Sequence, residues 1–166
     1  MINIIAALSS NHIIGKDGQI PWKLKDDMQN FFSLTAGHTV IMGRKTYESI
    51  NLPRLPMRQN IVVTQNGEHL KNTGVIWAKN YQESLDLYKC KPQGEVYIIG
   101  GYSAYKKFLP KADKMILTFV DTVVCGQNLV KFPKVQWHEW NPISYKTFAK
   151  NKDNQHNFTI WNFERF

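Results

Sequence analysis

Cysteine is almost missing from this chain: Cys90 and Cys125 are its only two. They lie far apart, form no CxxC pair and share no ligand spacing with the five histidines. A disulfide scaffold and a cysteine–histidine metal centre are therefore not expected, nor is any other metal. Long apolar runs are missing too. None approaches the roughly 20 residues of a bilayer-spanning helix, so no membrane partner is expected. The opening "MINIIAALSS" has no basic residues ahead of its apolar ones and reads directly as a strand, so no secretory leader is expected. A reduced, cytoplasmic setting fits these absences. Acidic residues are also few, 13 against 21 basic, giving a net charge of +8. Such a balance fits a solvated basic surface or a site for a small polyanion such as a dinucleotide phosphate, or, more sharply, nucleic-acid binding. The basic residues are scattered and no block of five or six like charges occurs, which argues against nucleic acid.

What is present is an ordinary globular composition: 166 residues, 43% hydrophobic, without repeats or linkers. One domain with a sizeable core is expected. Apolar runs at 2–8, 38–43, 59–64, 73–78, 95–101 and 114–121 read as buried strands. Helical patterns cover 24–35, 44–50, 80–90 and 102–109, with Asn80 as an N-cap and Pro110 as a stop. Residues 9–22 read as a long polar loop, a length that hints at function. Residues 51–58 hold two prolines and read as irregular. Segments 143–148 and 156–164 read as a closing antiparallel pair, with Phe158, Ile160 and either Trp161 or Phe163 on the buried face. Strands alternating with helices predict an α/β domain with a mainly parallel sheet and an antiparallel C-terminal edge. Ligands in such sheets bind beyond the carboxyl ends of the strands.

Two strand-to-helix junctions carry glycine. In "TVIMGRKTYESI", Gly43 precedes a helix that starts on Arg44, Lys45 and Thr46. Cations are unhelpful at a helix N-terminus unless an anion binds there, although two solvated side chains are the plainer reading. In "VYIIGGYSAY", Gly100-Gly101 opens a helix and would let a pyrophosphate approach the backbone, or makes an ordinary tight turn.

The third feature is a carboxylate on an apolar stripe. Stepping about 100° per residue from Leu24 places Met28, Phe31 and Thr35 on one side, with Phe32 and Leu34 at its edges. Asp27 falls inside that stripe and Asp26 points to the opposite side, toward solvent. Both acids suit a helix start, but a cap need not face inward. An ionised carboxylate among apolar side chains is costly without a partner. A donor-rich, amidine-like ligand edge would supply two parallel hydrogen bonds.

Taken in order, "IIAALSSNHIIGKDGQIPW", the Asp27 helix, "VIMGRKTYESI", "LPMRQNIVVT", "YIIGGYSAYKKFLP" and "LTFVD" resemble bacterial dihydrofolate reductase over nearly the whole chain. The resemblance implies a single domain, 1–166, with an eight-stranded, mostly parallel mixed sheet, four helices and an adenosine-binding part at about 39–90. It implies reduction of 7,8-dihydrofolate by NADPH, inhibition by antifolates and a monomer. Asp27 would hold the pterin, with Trp22 and a water beside it and Thr118 supporting it. Ile5, Ala6, Ala7, Met28, Phe31, Ile50, Leu55, Ile99 and Tyr105 would surround the substrate, and Arg58 would grip its carboxylate. Gly43, Arg44, Lys45, Thr46, Ser49, Val63, Thr64, Gln65 and Lys79 would meet the adenosine end of the cofactor. Ala7, Ile99, Gly100, Gly101, Tyr102, Ser103, Ala104 and Tyr105 would meet its nicotinamide and pyrophosphate, with the Gly100–Gly101 peptide cis. A lid from Asn11 to Ile20, including Ile14, Gly15, Gly18 and Gln19, would close over the site. The chain departs from the pattern at Tyr102, where a third glycine is usual, at Gln127, where an acid bonds the lid, and at Thr64-Gln65, where small hydroxyl residues are usual. The pyrimidine reductases of flavin synthesis share the architecture, but Asp27 and Arg58 favour folate.

Overall fold

The computed structural model describes residues 1–166. Ten strands run in chain order: β1 Ile2–Ser9, β2 Ile13–Lys16, β3 Thr39–Gly43, β4 Gln59–Val63, β5 Ile76–Ala78, β6 Val96–Gly100, β7 Lys114–Val120, β8 Leu129–Lys131, β9 Trp140–Phe148 and β10 Phe158–Arg165. Four α-helices join them: α1 Lys25–Thr35, α2 Arg44–Ile50, α3 Tyr81–Cys90 and α4 Tyr102–Phe108. Eight strands form one sheet in the order β5-β4-β3-β6-β1-β7-β10-β9. β5 through β7 pair in parallel, and β10 and β9 complete the sheet antiparallel.

The continuous apolar runs are explained by burial on both faces. Ile4, Ala6, Leu8, Ile41, Ile98 and Leu117 pack on one side with Leu85 of α3 and Ala104 and Phe108 of α4. Ile5, Val40, Met42, Val62 and Ile116 pack on the other, with Leu24 and the partly buried Phe31 and Leu34 of α1 and Ile50 of α2. Because side chains alternate along β1, Ile5 and Ala7 face α1 while Ala6 faces α4.

The Asn80 cap forms as its chemistry requires, its side chain accepting from the Glu83 amide at 2.8 Å. Other expectations need revision. Residues 9–22 are not a plain loop: β2 pairs antiparallel with β8 as a separate two-stranded ribbon. Asp17 (φ 52°) and Gly18 (φ 75°) make a tight reversal closed by Lys16 and Gln19, the Asp-Gly chemistry of a primed turn. Four and three residues are too short for periodicity to reveal. The 73–78 strand shrinks to Ile76–Ala78 because the chain turns at Gly74 (φ 81°). β10 is buried on both faces, with Phe158 and Ile160 toward α1 and Trp161 and Phe163 away from it. β9, at the sheet edge, is exposed from Asn141 to Thr147 and carries Pro142 and an unpaired Ile143, features that blunt an edge.

Phe108 is buried and meets Tyr81 edge-to-face at 5.9 Å. Phe108→Ala should destabilise the fold by about 3–5 kcal/mol, read from the midpoint of urea unfolding with the m-value unchanged.

Candidate active site

α1 lies over the face of β1 and β7 that carries Ile5, Ala7 and Thr118, and Ala7 and Thr118 are paired neighbours in the sheet. Leu24, buried, anchors the start of the helix, and Thr35 its end. Between them Asp27 points at β7, where the Thr118 hydroxyl donates to its Oδ1 at 2.6 Å. Desolvation raises the Asp27 pKa above the ordinary carboxylate value, and the Thr118 hydrogen bond opposes that rise only in part. Trp22 is buried at the same end. No lysine or arginine pairs with Asp27. Met28, expected in the packed stripe, is 42% exposed and is left free to meet a ligand.

Asp26 is half-buried rather than solvated, and its carboxylate accepts from Asn154 Nδ2 at 2.8 Å. Periodicity separated the two aspartates correctly but could not see a partner that arrives from a distant loop.

Arg58 is buried at the far end of α1. Its Nε donates to Thr35 Oγ1 at 2.7 Å, one terminal nitrogen to the Phe32 carbonyl at 2.7 Å and the other to the Pro56 carbonyl. Thr35 in turn donates to the Phe31 carbonyl. Of the five N–H groups of a guanidinium, one on each terminal nitrogen is left for a carboxylate. Burial lowers the Arg58 pKa from its usual value. Asn60, buried, fixes the preceding loop by exchanging hydrogen bonds with the Leu55 backbone and donating to the Arg58 carbonyl. Neither Thr35 nor Asn60 stands out in the sequence as a support for Arg58.

Beyond the carboxyl ends of β3 and β6 the two glycine junctions meet. A methyl group on Gly43 would come within 3.0 Å of the Tyr81 hydroxyl and 3.9 Å of the Gly100 carbonyl and the Gly101 nitrogen. One on Gly100 or Gly101 would come within 3.3 Å of Thr46 Oγ1. The Gly100–Gly101 peptide is cis. No side chain caps the start of α2 or α4, so backbone amides at both junctions are open to an anion. Lys45 is exposed beside them, and Arg44 is held by Glu48 at 2.8 Å. The basic start of α2 is thus partly balanced from within its own helix. Ser49 donates to the Thr46 carbonyl and Thr64 to the Asn66 carbonyl. Val63 is partly buried, while Gln65 and Lys79 are exposed.

Three candidates present less than expected. The Ala6 side chain faces α4, so only its backbone borders the Asp27 side. Ala104 is fully buried against the sheet. Tyr105 is buried too, donating to the Ile5 carbonyl at 2.9 Å with its pKa pushed far up by burial, so it fixes the floor from beneath. Tyr102 is exposed, with Lys106 Nζ 5.8 Å from its ring; the ring lies along α4. Ser103 is exposed, and Ile99 is partly buried on the Asp27 side.

Residues 11–17 are tied down without an acid at position 127. Asn128 donates to Asp17 Oδ1 at 2.8 Å, Lys16 Nζ to the Cys125 carbonyl at 2.9 Å, and Asn11 exchanges hydrogen bonds with the Val124 backbone. Gln127 is exposed. Ile14 packs toward the α4 side, Gly15 lies in β2, and Gly18, Gln19 and Ile20 are exposed beyond it.

A family model described as dihydrofolate reductase matches residues 1–165. The chain belongs to the dihydrofolate reductase family. It is 39% identical to the dihydrofolate reductase of Haemophilus influenzae, covering 89% of this chain and 88% of that one. It is 34% identical to that of Bacillus subtilis, covering 99% and 95%. A dihydrofolate reductase type 3 of Salmonella typhimurium is 38% identical, covering 94% and 93%. Among solved structures, the dihydrofolate reductase of Enterococcus faecalis complexed with NADP(H) and RAB-propyl superposes with a TM-score of 0.89 at 27% identity, covering 99% and 96%.

The raised Asp27 pKa has a consequence for stability. Between the unfolded value of 3.8 and the raised folded value, the native state binds more protons than the unfolded one. Stability therefore falls as pH rises through that window, and above it Asp27 is a net burden on the free protein. Asp27→Asn keeps an acceptor for Thr118 and removes the charge. Its Tm should exceed that of the parent at pH 7, with the gap closing as pH falls toward 4 (about the ordinary carboxylate value), measured by scanning calorimetry.

Proposed function

We propose that this chain is an NADPH-dependent dihydrofolate reductase, converting 7,8-dihydrofolate to 5,6,7,8-tetrahydrofolate for one-carbon and thymidylate metabolism. The observation that carries the reading is the desolvated Asp27 carboxylate, held by Thr118 and facing a site with no protein cation to neutralise it. A pterin edge offers that carboxylate an N3–H and a 2-amino group, two parallel donors. Asp27 binds and orients the ring there, and burial, by raising its pKa, makes it better suited to promote protonation at N5. A carboxylate bound at N3 lies beyond direct reach of N5, so the proton travels through water beside Trp22. Ile5, Ala7, Phe31, Ile50, Leu55 and Ile99 supply the apolar walls, and the two free N–H groups of Arg58 receive the glutamate carboxylate.

NADPH fits the residues that are present. At the Gly43, Gly100 and Gly101 junction a methyl group would press on the Tyr81 hydroxyl or Thr46 Oγ1, so the two backbones come close there, and the uncapped amides suit a pyrophosphate. Lys45, with Thr46, Thr64, Gln65 and Lys79, suits the adenosine phosphates, and the 39–90 part acts as the adenosine subdomain. When bound, NADPH supplies the hydride delivered to pterin C6. The Asn11–Ile20 lid excludes water from that step. No helix is long and apolar enough to cross a membrane, and a cytoplasmic monomer that does not bind nucleic acid and is inhibited by antifolates completes the reading.

Two measurements test it. Dihydrofolate-dependent oxidation should proceed much faster with NADPH than with NADH at equal concentration; no oxidation with either overturns the assignment. Asp27→Asn should lower turnover at pH 7 by about 10²–10⁴-fold while circular dichroism stays native, and near-normal turnover removes Asp27 from its role.

A further inference from the structure

We propose that Asn154 is a positioning residue for Asp27, capping α1 from the β9–β10 loop and holding Asp26 away from the site. The inference rests on the reading of Asp27 above. α1 has Leu24 at its N-cap, a side chain with no acceptor, and makes no side-chain cap of its own. The cap arrives from a loop 128 residues further along the chain. The Lys25 amide donates to the Asp153 carbonyl at 3.1 Å and the Asp26 amide to Asn154 Oδ1 at 3.2 Å. Asn154 Nδ2 then donates to Asp26 Oδ2 at 2.8 Å, so one carboxamide binds the helix backbone and a helix side chain together. The Lys23 N–H donates to the Gln155 side-chain Oε1 and its carbonyl accepts from the Gln155 amide, and Leu24 and Asn154 form a single antiparallel bridge beside them.

Asn154 is only 1% exposed, and the loop is held in shape by Asn151, whose side chain accepts from the Asp153 and Asn154 amides. The exposed Lys25–Asp153 pair, at 3.9 Å, adds little. Two adjacent carboxylates are thus drawn in different directions, Asp27 to Thr118 and Asp26 to Asn154. Both anchors belong to the same corner of the sheet, since Thr118 pairs with Ile160 of the strand that the loop enters. Thr118 alone fixes the tip of Asp27. Asn154 fixes the helical turn beneath it and keeps a second negative charge from swinging toward the pterin edge.

The test exploits the reciprocity of the pair. Asn154→Asp keeps the acceptor for the Asp26 amide but sets two carboxylates against each other. Asp26→Asn combined with Asn154→Asp restores the side-chain hydrogen bond with donor and acceptor exchanged, keeps an acceptor for the residue 26 amide, and leaves the net charge unchanged. Asn154→Asp should lower kcat/KM for dihydrofolate by about 10–100-fold. It should weaken a 2,4-diaminopyrimidine inhibitor in parallel by calorimetry and speed hydrogen exchange at the amides of residues 25–27 in the free protein. The double variant should recover each readout to within about threefold of the parent. A lowered Tm with unchanged kcat/KM and inhibitor affinity, or a double variant that fails to recover, overturns the proposal. If Asn154→Asp does not fold, Asn154→Ala against the double variant makes the same comparison. If the parent protein does not reduce dihydrofolate, the functional reading falls, while hydrogen exchange and its recovery still decide whether Asn154 holds the helix.

Discussion

Everything at this site depends on one carboxylate being kept out of water without a countercharge. Asp27 has a single protein partner, a hydroxyl, and that partner offsets only part of the desolvation. Burial of an acid on such terms is unfavourable for the free protein, so the surrounding structure must hold it there. It does so by trapping α1 between anchored ends. Leu24 is buried and paired to Asn154 at one end, while Thr35 binds both Arg58 and its own helix at the other. The helix that presents the acid is also the platform on which the arginine rests. The distance between Asp27 and Arg58 is therefore set by one rigid element.

The remaining surface follows from the sheet. Its parallel strands send β3 and β6 toward the same rim, and their glycines meet there. The antiparallel strands behind β7 bring the chain back to α1 through the 149–157 loop. The lid ribbon is bound to the segment after β7 by Asp17–Asn128 and Lys16–Cys125. The 149–157 loop and the segment after β7 thus meet at the end of β7, the strand that carries Thr118.

The order of elements, the buried strands and the inward face of Asp27 were legible in the sequence because each leaves a local signal: an apolar run, a helical period, a glycine at a junction. The ribbon of β2 and β8 left none, since strands of four and three residues show no period. The burial of Ala104 and Tyr105 was hidden because a glycine-opened helix turns some side chains to the ligand rim and others to the sheet, and the motif does not say which. Arg44 reads as a free cation at a helix start, although Glu48 one turn on holds it. Asp26 looked solvated because Asn154 is remote in sequence. Apart from Arg44, whose partner lies only four residues away, the missing information was a contact between distant residues, or the phase of an element that only packing fixes.

The hydrogen bonds that hold Arg58 have an effect on recognition. A free arginine carries roughly 2 kcal/mol of rotamer entropy, and here most of that freedom is removed as the chain folds. An incoming carboxylate meets a fork already aimed, so little further ordering opposes its capture.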